Sequence, residues 1–283
     1  MMKLCIDLGA TNVKSGLIDN GIFIKTATTK TVTDRGLDGV ISSVKRAIDG
    51  LMSPEVTEIC ISSAGTIDSE RGVVVYATDN LPGYTGFDIT GWVKRTYGLK
   101  SVAINDGYAA LLGEIAINYN YAEKKVIMLT LGSGVGGAYA VNGKIVAGEK
   151  NDFARFGHIS LYPNGIKCNC GRTGCAERYL SGRAINALAG KYGIGENEVF
   201  NELKKGNKNA VSVAHEIRKN TALLLEKIYK DNPFDICIMG GGAVDGMGDS
   251  FDDIFGGLGY DVRRAKAGNN AGMLGAYYFS LEK

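Results

Sequence analysis

Proline is scarce in this sequence, with 4 residues among 283. A glycine-rich chain so poor in proline is not a low-complexity Gly/Pro polymer. An excess of one charge is also missing. Lys and Arg total 32 and Asp and Glu 30, a formal net charge of +2, which argues against binding nucleic acid through bulk positive charge. No apolar window approaches the ~20 residues of a membrane span. Residues 1–10 offer only Leu4, Cys5 and Ile6 as an apolar stretch before Asp7, whereas an export signal needs a run of ~7–15. The expectation is a cytoplasmic chain with neither a membrane nor a nucleic-acid partner, whose thiols stay reduced.

What is present is an ordinary globular composition, 45% apolar and 22% charged, which excludes disorder as the main state. The length suits two domains, with one large α/β domain as the alternative. Glycine, at 40 residues, is about twice its usual share, and it suggests tight turns and close backbone approach to a ligand. Cys5, Cys60 and Cys237 sit in apolar strand-like runs and read as small core residues. Cys168, Cys170 and Cys175 cluster in a Gly-rich loop and need another explanation.

The first 30 residues read as a β-meander, with strands at 3–8, 13–18 and 22–28 and an Asn20-Gly21 hairpin signal. Leu37, Val40, Ile41, Val44 and Ile48 have helical spacing. Short strands follow at 58–62, 73–76 and 101–105, then a helix at 107–117. A second unit opens near Lys124 with a strand at 125–131, a glycine-rich turn and another strand. Helical patterns dominate 176–228, a strand covers 234–239, and a helix closes the chain at 271–280. Each half opens with a strand, a Gly-rich turn and a second strand, a weak internal repeat.

Three glycine motifs carry chemistry. In the first, Asp7 precedes the turn Gly9-Ala10-Thr11-Asn12 and Lys14. Turn amides of this kind cradle phosphate, and the carboxylate holds Mg²⁺ or its water; an ordinary hairpin with a solvated Asp is the alternative. The second, Gly132-Ser133-Gly134-Val135-Gly136-Gly137, is a hairpin turn and neither a dinucleotide fingerprint nor a Walker loop. The third, Gly240-Gly241-Gly242, ends a strand and leaves room for a ring or ribose, or is a plain strand-to-helix turn. Together the three describe a nucleotide held between two domains. A fourth motif, His158 followed by Cys168-Asn169-Cys170 and Cys175, has the ligand types and count of a tetrahedral Cys₃His zinc site. Its Gly-, Asn- and Arg-rich segment offers no core for inert thiols.

This last string, together with Asn80-Leu81-Pro82-Gly83, Asn105-Asp106 and Ala271-Gly272-Met273, resembles the ROK family of repressors, open reading frames and sugar kinases, nearly end to end. The resemblance implies an α/β, two-domain actin-like (ribonuclease H-like) ATPase fold with an inter-domain cleft. It implies a small domain of residues 1–118 plus 271–283 and a larger one of 119–270. It implies an ATP-dependent kinase of a hexose or N-acetylhexosamine, acting at the 6-hydroxyl, with ATP, Mg²⁺ and a structural Zn²⁺, in a homodimer. Asp106 would be the general base. Gly65, Asn80, Asn105, His158 and Glu177 would meet the sugar, and Asp7, Gly9, Thr11, Asn12, Lys14, Gly132, Ser133, Gly134, Gly240, Gly241 and Gly242 the nucleotide. Zinc would be held by His158, Cys168, Cys170 and Cys175.

The sequence departs from the family at one point. Where the family has Glu-x-Gly-His, this chain has Arg155-Phe156-Gly157-His158, so an acceptor-only side chain has become a donor-only cation. Arg155 then either alters the acceptor used or stands outside the site. The alternative to a kinase is a non-catalytic sugar-sensing ROK protein or regulator. The family's repressors carry an added winged-helix segment, whereas this chain opens on the first phosphate strand, and it keeps Asp7 and Asp106.

Overall fold

The computed structural model describes residues 1–148 and 153–283. The chain divides into two compact units. Unit 1 comprises Met1–Ala122 and Asn269–Lys283, with residues 147–148, and unit 2 comprises Glu123–Val146 and Phe153–Gly268.

Unit 1 begins with β1 (Lys3–Leu8), β2 (Asn12–Asp19) and β3 (Ile22–Lys30), followed by α1 (Gly36–Asp49) and β4 (Glu58–Ser63). A small hairpin, β5 (Thr66–Asp68) and β6 (Val73–Tyr76), precedes α2 (Ile89–Tyr97), β7 (Lys100–Asn105) and α3 (Asp106–Ile117), and a C-terminal helix, Ala271–Leu281, completes the unit. The main sheet has the order β3-β2-β1-β4-β7. The first three strands are antiparallel, and β4 and β7 run parallel to β1.

Strand alternation sends Leu4, Ile6 and Leu8 of β1 to one face. There they bury with Ile59 and Ile61 of β4 against Val40, Val44, Ala47 and Ile48 of α1. The residues between them, Lys3, Cys5 and Asp7, lie in register with Glu58, Cys60 and Ser62. The Lys3 ammonium bonds Glu58 Oε2 and Ser280 Oγ of the C-terminal helix, both at 2.7 Å. This second face is covered by helix. The C-terminal helix and α3 approach through glycine: a Cβ on Gly275 would overlap the Ala109 carbonyl, and one on Gly113 would lie 2.5 Å from the Ala271 carbonyl. That contact holds the start of α3 and the start of the C-terminal helix at the carboxyl ends of β1 and β4.

Unit 2 repeats the plan. After β8 (Lys125–Leu131), β9 (Val135–Val141) and β10 (Lys144–Ile145) come α4 (Glu177–Leu180), α5 (Gly182–Lys191), α6 (Val199–Lys204) and α7 (Lys208–Asp231). Next are β11 (Ile236–Gly240), α8 (Gly242–Met247), α9 (Ser250–Phe255) and β12 (Val262–Arg264). The sheet order is β10-β9-β8-β11-β12, again with an antiparallel first half and parallel β8, β11 and β12. All five residues of β11 are buried. Among the described residues no helix is long and apolar enough to cross a membrane.

Candidate active site

In unit 1 the turn between β1 and β2 is closed by Gly9 N–H donating to the Asn12 carbonyl at 3.0 Å. The Thr31 hydroxyl braces it from outside by donating to the Gly9 carbonyl at 2.8 Å. Thr11 and Asn12 are exposed at its tip. Asp7, the next-to-last residue of β1, has both carboxylate oxygens engaged. Ser62 Oγ donates to Oδ1 at 2.9 Å, and the Lys14 ammonium lies 3.5 Å from Oδ2 while bonding the Asn269 carbonyl at 3.1 Å. Gly272 lies over this group, where a Cβ would come 2.7 Å from Asp7 Oδ1. Lys14 therefore reaches back to the carboxylate. Ser62 was invisible to sequence reasoning, because only the β1–β4 register brings it opposite Asp7.

The Asn105-Asp106 pair stands where β7 passes into α3. The N-cap of α3 is Asn105, whose Oδ1 accepts from Tyr108 N–H at 3.1 Å; Asp106 is the first helical residue. The Asn105 amide donates one hydrogen to the Gly65 carbonyl at 2.7 Å and the other to Asp106 Oδ1 at 2.9 Å. Both of its hydrogens are thereby used within the protein. Gly65 sits at φ +106 in the turn after β4, and a Cβ there would lie 2.8 Å from the Tyr76 carbonyl. Asp106 Oδ1 also accepts from Gly107 N–H at 2.8 Å, while Oδ2 takes none of these bonds. Burial, reinforced by the Asp7 carboxylate, pushes the Asp106 pKa up to about 7 against the opposing hydrogen bonds from Gly107 and Asn105. Asn80 is exposed beyond β6 and makes no side-chain hydrogen bond among the described residues.

In unit 2 the turn 132–134 joins β8 to β9. Gly132 N–H donates to the Gly134 carbonyl at 2.9 Å, while the Ser133 and Gly134 amides and the Ser133 hydroxyl have no protein partner among the described residues. Two donors hold the turn from the α5 side: Gly182 N–H to the Gly132 carbonyl at 2.7 Å, and Arg183 Nε to the Ser133 carbonyl at 3.1 Å. Glu177 Oε2 accepts Val135 N–H at 3.2 Å. The third glycine run lies alongside. Gly241 caps α8 at φ +94, and a Cβ there would lie 2.7 Å from the Leu131 carbonyl. The free turn amides and the open space beside Gly242 suit an anion and a flat group respectively.

The sequence-predicted metal ligands converge. One donor atom from each of His158, Cys168, Cys170 and Cys175 lies within 4.8 Å of every other. Cys168 Sγ is 3.9 Å from His158 Nδ1, and Cys170 Sγ is 3.6 Å from Cys175 Sγ. A tetrahedral zinc with ordinary bond lengths would set these edges at ~3.6–3.8 Å, so the donor set fits. Burial holds the His158 imidazole below its ordinary pKa range; Glu177 opposes this, and Arg155 and Arg172 add to it. The ring is thus kept neutral, as a ligand must be. Nδ1 faces the thiols, which leaves Nε2 for another partner. Arg155 is exposed and forms no ion pair among the described residues.

Residues 3–283 match the sequence profile of the ROK family. Over 185 residues the chain is 34% identical to a glucokinase of Thermotoga maritima, an alignment that covers 64% of this chain and 57% of that protein. The chain thus spans little more than half the length of the glucokinases it matches. It is 28% identical over 244 residues to the N-acetylmannosamine kinase of Yersinia pseudotuberculosis, covering 84% and 82% of the two. A ROK family glucokinase from Streptomyces griseus, solved with glucose and AMPPNP, superposes with a TM-score of 0.81 at 25% identity, covering all of both chains. A ROK hexokinase from Thermus thermophilus gives a TM-score of 0.77 at 24% identity, covering 100% and 99% of the two. The fold is the two-domain actin-like α/β fold expected from the sequence.

Proposed function

Because this chain belongs to the ROK family, we propose that it is an ATP-dependent sugar kinase that transfers the γ-phosphate to a hexose or N-acetylhexosamine, at the 6-hydroxyl. The observation that carries this reading is Asp106. Its Oδ1 is pinned by two donors, Oδ2 is left to receive a proton, and its pKa is near 7. Such a carboxylate accepts the hydroxyl proton as the sugar oxygen attacks phosphorus. Asn105 and Gly107 fix the orientation of the acceptor oxygen, so the base is aimed before substrate arrives.

The same geometry supports the remaining roles. The free amides at Ser133 and Gly134 and the turn at 9–12 would bind phosphate oxygens. Asp7 would hold Mg²⁺ through water, its two oxygens keeping Ser62 and Lys14 as partners, and Mg²⁺ would neutralise charge on the phosphates. Zinc on His158, Cys168, Cys170 and Cys175 would brace the loop that presents His158 Nε2 and Glu177 to the sugar. Arg155, exposed beside His158, offers only donors, and it favours an acceptor carrying a carboxylate or another planar acceptor group if it faces the sugar. A cytoplasmic homodimer is the setting that suits this activity.

Asp106→Asn tests the proposal. The amide keeps the shape but cannot take the proton, so kcat should fall by at least ~10²-fold with ATP affinity preserved. Near-normal turnover would remove Asp106 from the role.

A further inference from the structure

We propose that Glu177 is a positioning residue for the second phosphate turn, and that it couples the acceptor loop to the nucleotide site through Val135. The inference rests on the kinase reading for the identity of the two ligands, while the contact itself is independent of it.

Val135 is the first residue of β9, directly after the turn 132–134. Its N–H is held by Glu177 Oε2 at 3.2 Å. Its carbonyl packs on Gly157, where any Cβ would overlap it. Gly157 adjoins His158 at the entry of the metal loop, and Glu177 stands at its exit. Ala176 N–H closes that loop onto the Ile159 carbonyl at 2.9 Å. The residue that leaves the phosphate turn is therefore gripped by both ends of the loop that carries the two proposed sugar ligands.

Gly134 records the same contact. Its φ lies outside the left-handed region, so its backbone conformation does not call for glycine. What a side chain would meet is the Glu177 carboxylate, because a Cβ would lie 2.5 Å from Oε2. With Gly182 N–H on the Gly132 carbonyl and Arg183 Nε on the Ser133 carbonyl, segment 177–183 fixes the turn at three points. Those bonds leave the Ser133 and Gly134 amides to the phosphate. Glu177 spends Oε2 on the turn, and Oε1 is what it has left for a sugar hydroxyl. A sugar that orders this carboxylate stiffens the turn, and by linkage a bound nucleotide tightens the sugar site equally.

The experiment uses the full, zinc-replete chain without sugar. Two readouts are taken on wild type, Glu177→Gln, Glu177→Ala and Gly134→Ala: amide hydrogen exchange at Val135 with no ligand, and the affinity for Mg-AMPPNP. Loss of a charge-assisted hydrogen bond predicts about 10-fold faster exchange at Val135 and about 10-fold weaker AMPPNP binding in Glu177→Ala. Gly134→Ala, which displaces the carboxylate without removing it, should do the same. Glu177→Gln keeps an acceptor oxygen and should stay within about 3-fold of wild type on both readouts. Wild-type exchange and wild-type AMPPNP affinity in Glu177→Ala would overturn the proposal and leave Glu177 a sugar ligand alone. Absence of AMPPNP binding by wild type would instead sink the kinase reading, and the exchange readout would still decide the contact.

Discussion

Asp106 is subject to opposing influences, and their balance sets a pH dependence. Burial and the Asp7 charge raise its pKa to about 7, while the Gly107 and Asn105 donors pull it down. The ionised form is the base, so kcat/KM should rise about tenfold per pH unit below the midpoint and level off above it. An ascending limb near pH 7 in the free enzyme is the expected result. Asp7→Asn removes a neighbouring negative charge, so Asp106 should then titrate lower. Carboxyl carbon chemical shifts followed by NMR report this without any need for turnover, and an unchanged or raised midpoint would contradict the assigned cause. The pair Asn105-Asp106 was legible in the sequence, because an Asn-Asp after an apolar run marks a strand end entering a helix. The division of labour within it was not. Capping falls to Asn105, and the amide that was expected to meet the sugar donates both hydrogens to the protein. Only the fold, which carries Gly65 to within reach, reveals that.

Among the elements, the metal loop makes the sharpest prediction. Its four donors are spaced for zinc, and the loop around them turns on backbone bonds such as Cys168 N–H to the Arg172 carbonyl at 2.8 Å and Gly171 N–H to the Cys168 carbonyl at 3.0 Å. Protein purified without added zinc should carry about one equivalent per chain. Chelation should weaken acceptor binding more than binding of Mg-AMPPNP, since the loop carries both proposed sugar ligands but reaches the turn 132–134 only through Gly157 and Glu177 at its ends. A metal-free folded protein with three freely titratable loop thiols would refute the site. The first hairpin was equally readable, and the structure adds a second one like it. Asn20-Gly21 forms a two-residue turn with both φ values positive, and Asn142-Gly143 does the same between β9 and β10. By contrast α8, α9 and β12 had no usable signal, and α2 offered only its caps, Asp88 and Gly98. Helix α2 buries only Ile89 and Val93, β12 is three residues long, and α8 and α9 have six residues each. Their placement comes from tertiary packing that no local periodicity encodes.

For the whole molecule, the weak repeat seen in the sequence proves to be the architecture: two five-stranded sheets with the same strand order, each opening on a glycine hairpin. That repeat was legible because both halves begin with the same strand–turn–strand grammar. The C-terminal helix packs in unit 1 through glycine contacts with α3, a placement that no local pattern in the sequence encodes. The central claim, that this architecture phosphorylates a sugar, is tested most directly by sugar-dependent ADP release from Mg-ATP. The full chain would be assayed against neutral hexoses, N-acetylhexosamines and sugar acids, with Asp106→Asn as the control. The account predicts a phosphosugar formed in equal amount to ADP, with kcat/KM of ~10⁴ M⁻¹s⁻¹ or above for at least one acceptor, and preference for a sugar acid if Arg155 faces the site. Sugar binding without ADP release by wild type against every acceptor would contradict it and leave the chain a sensor.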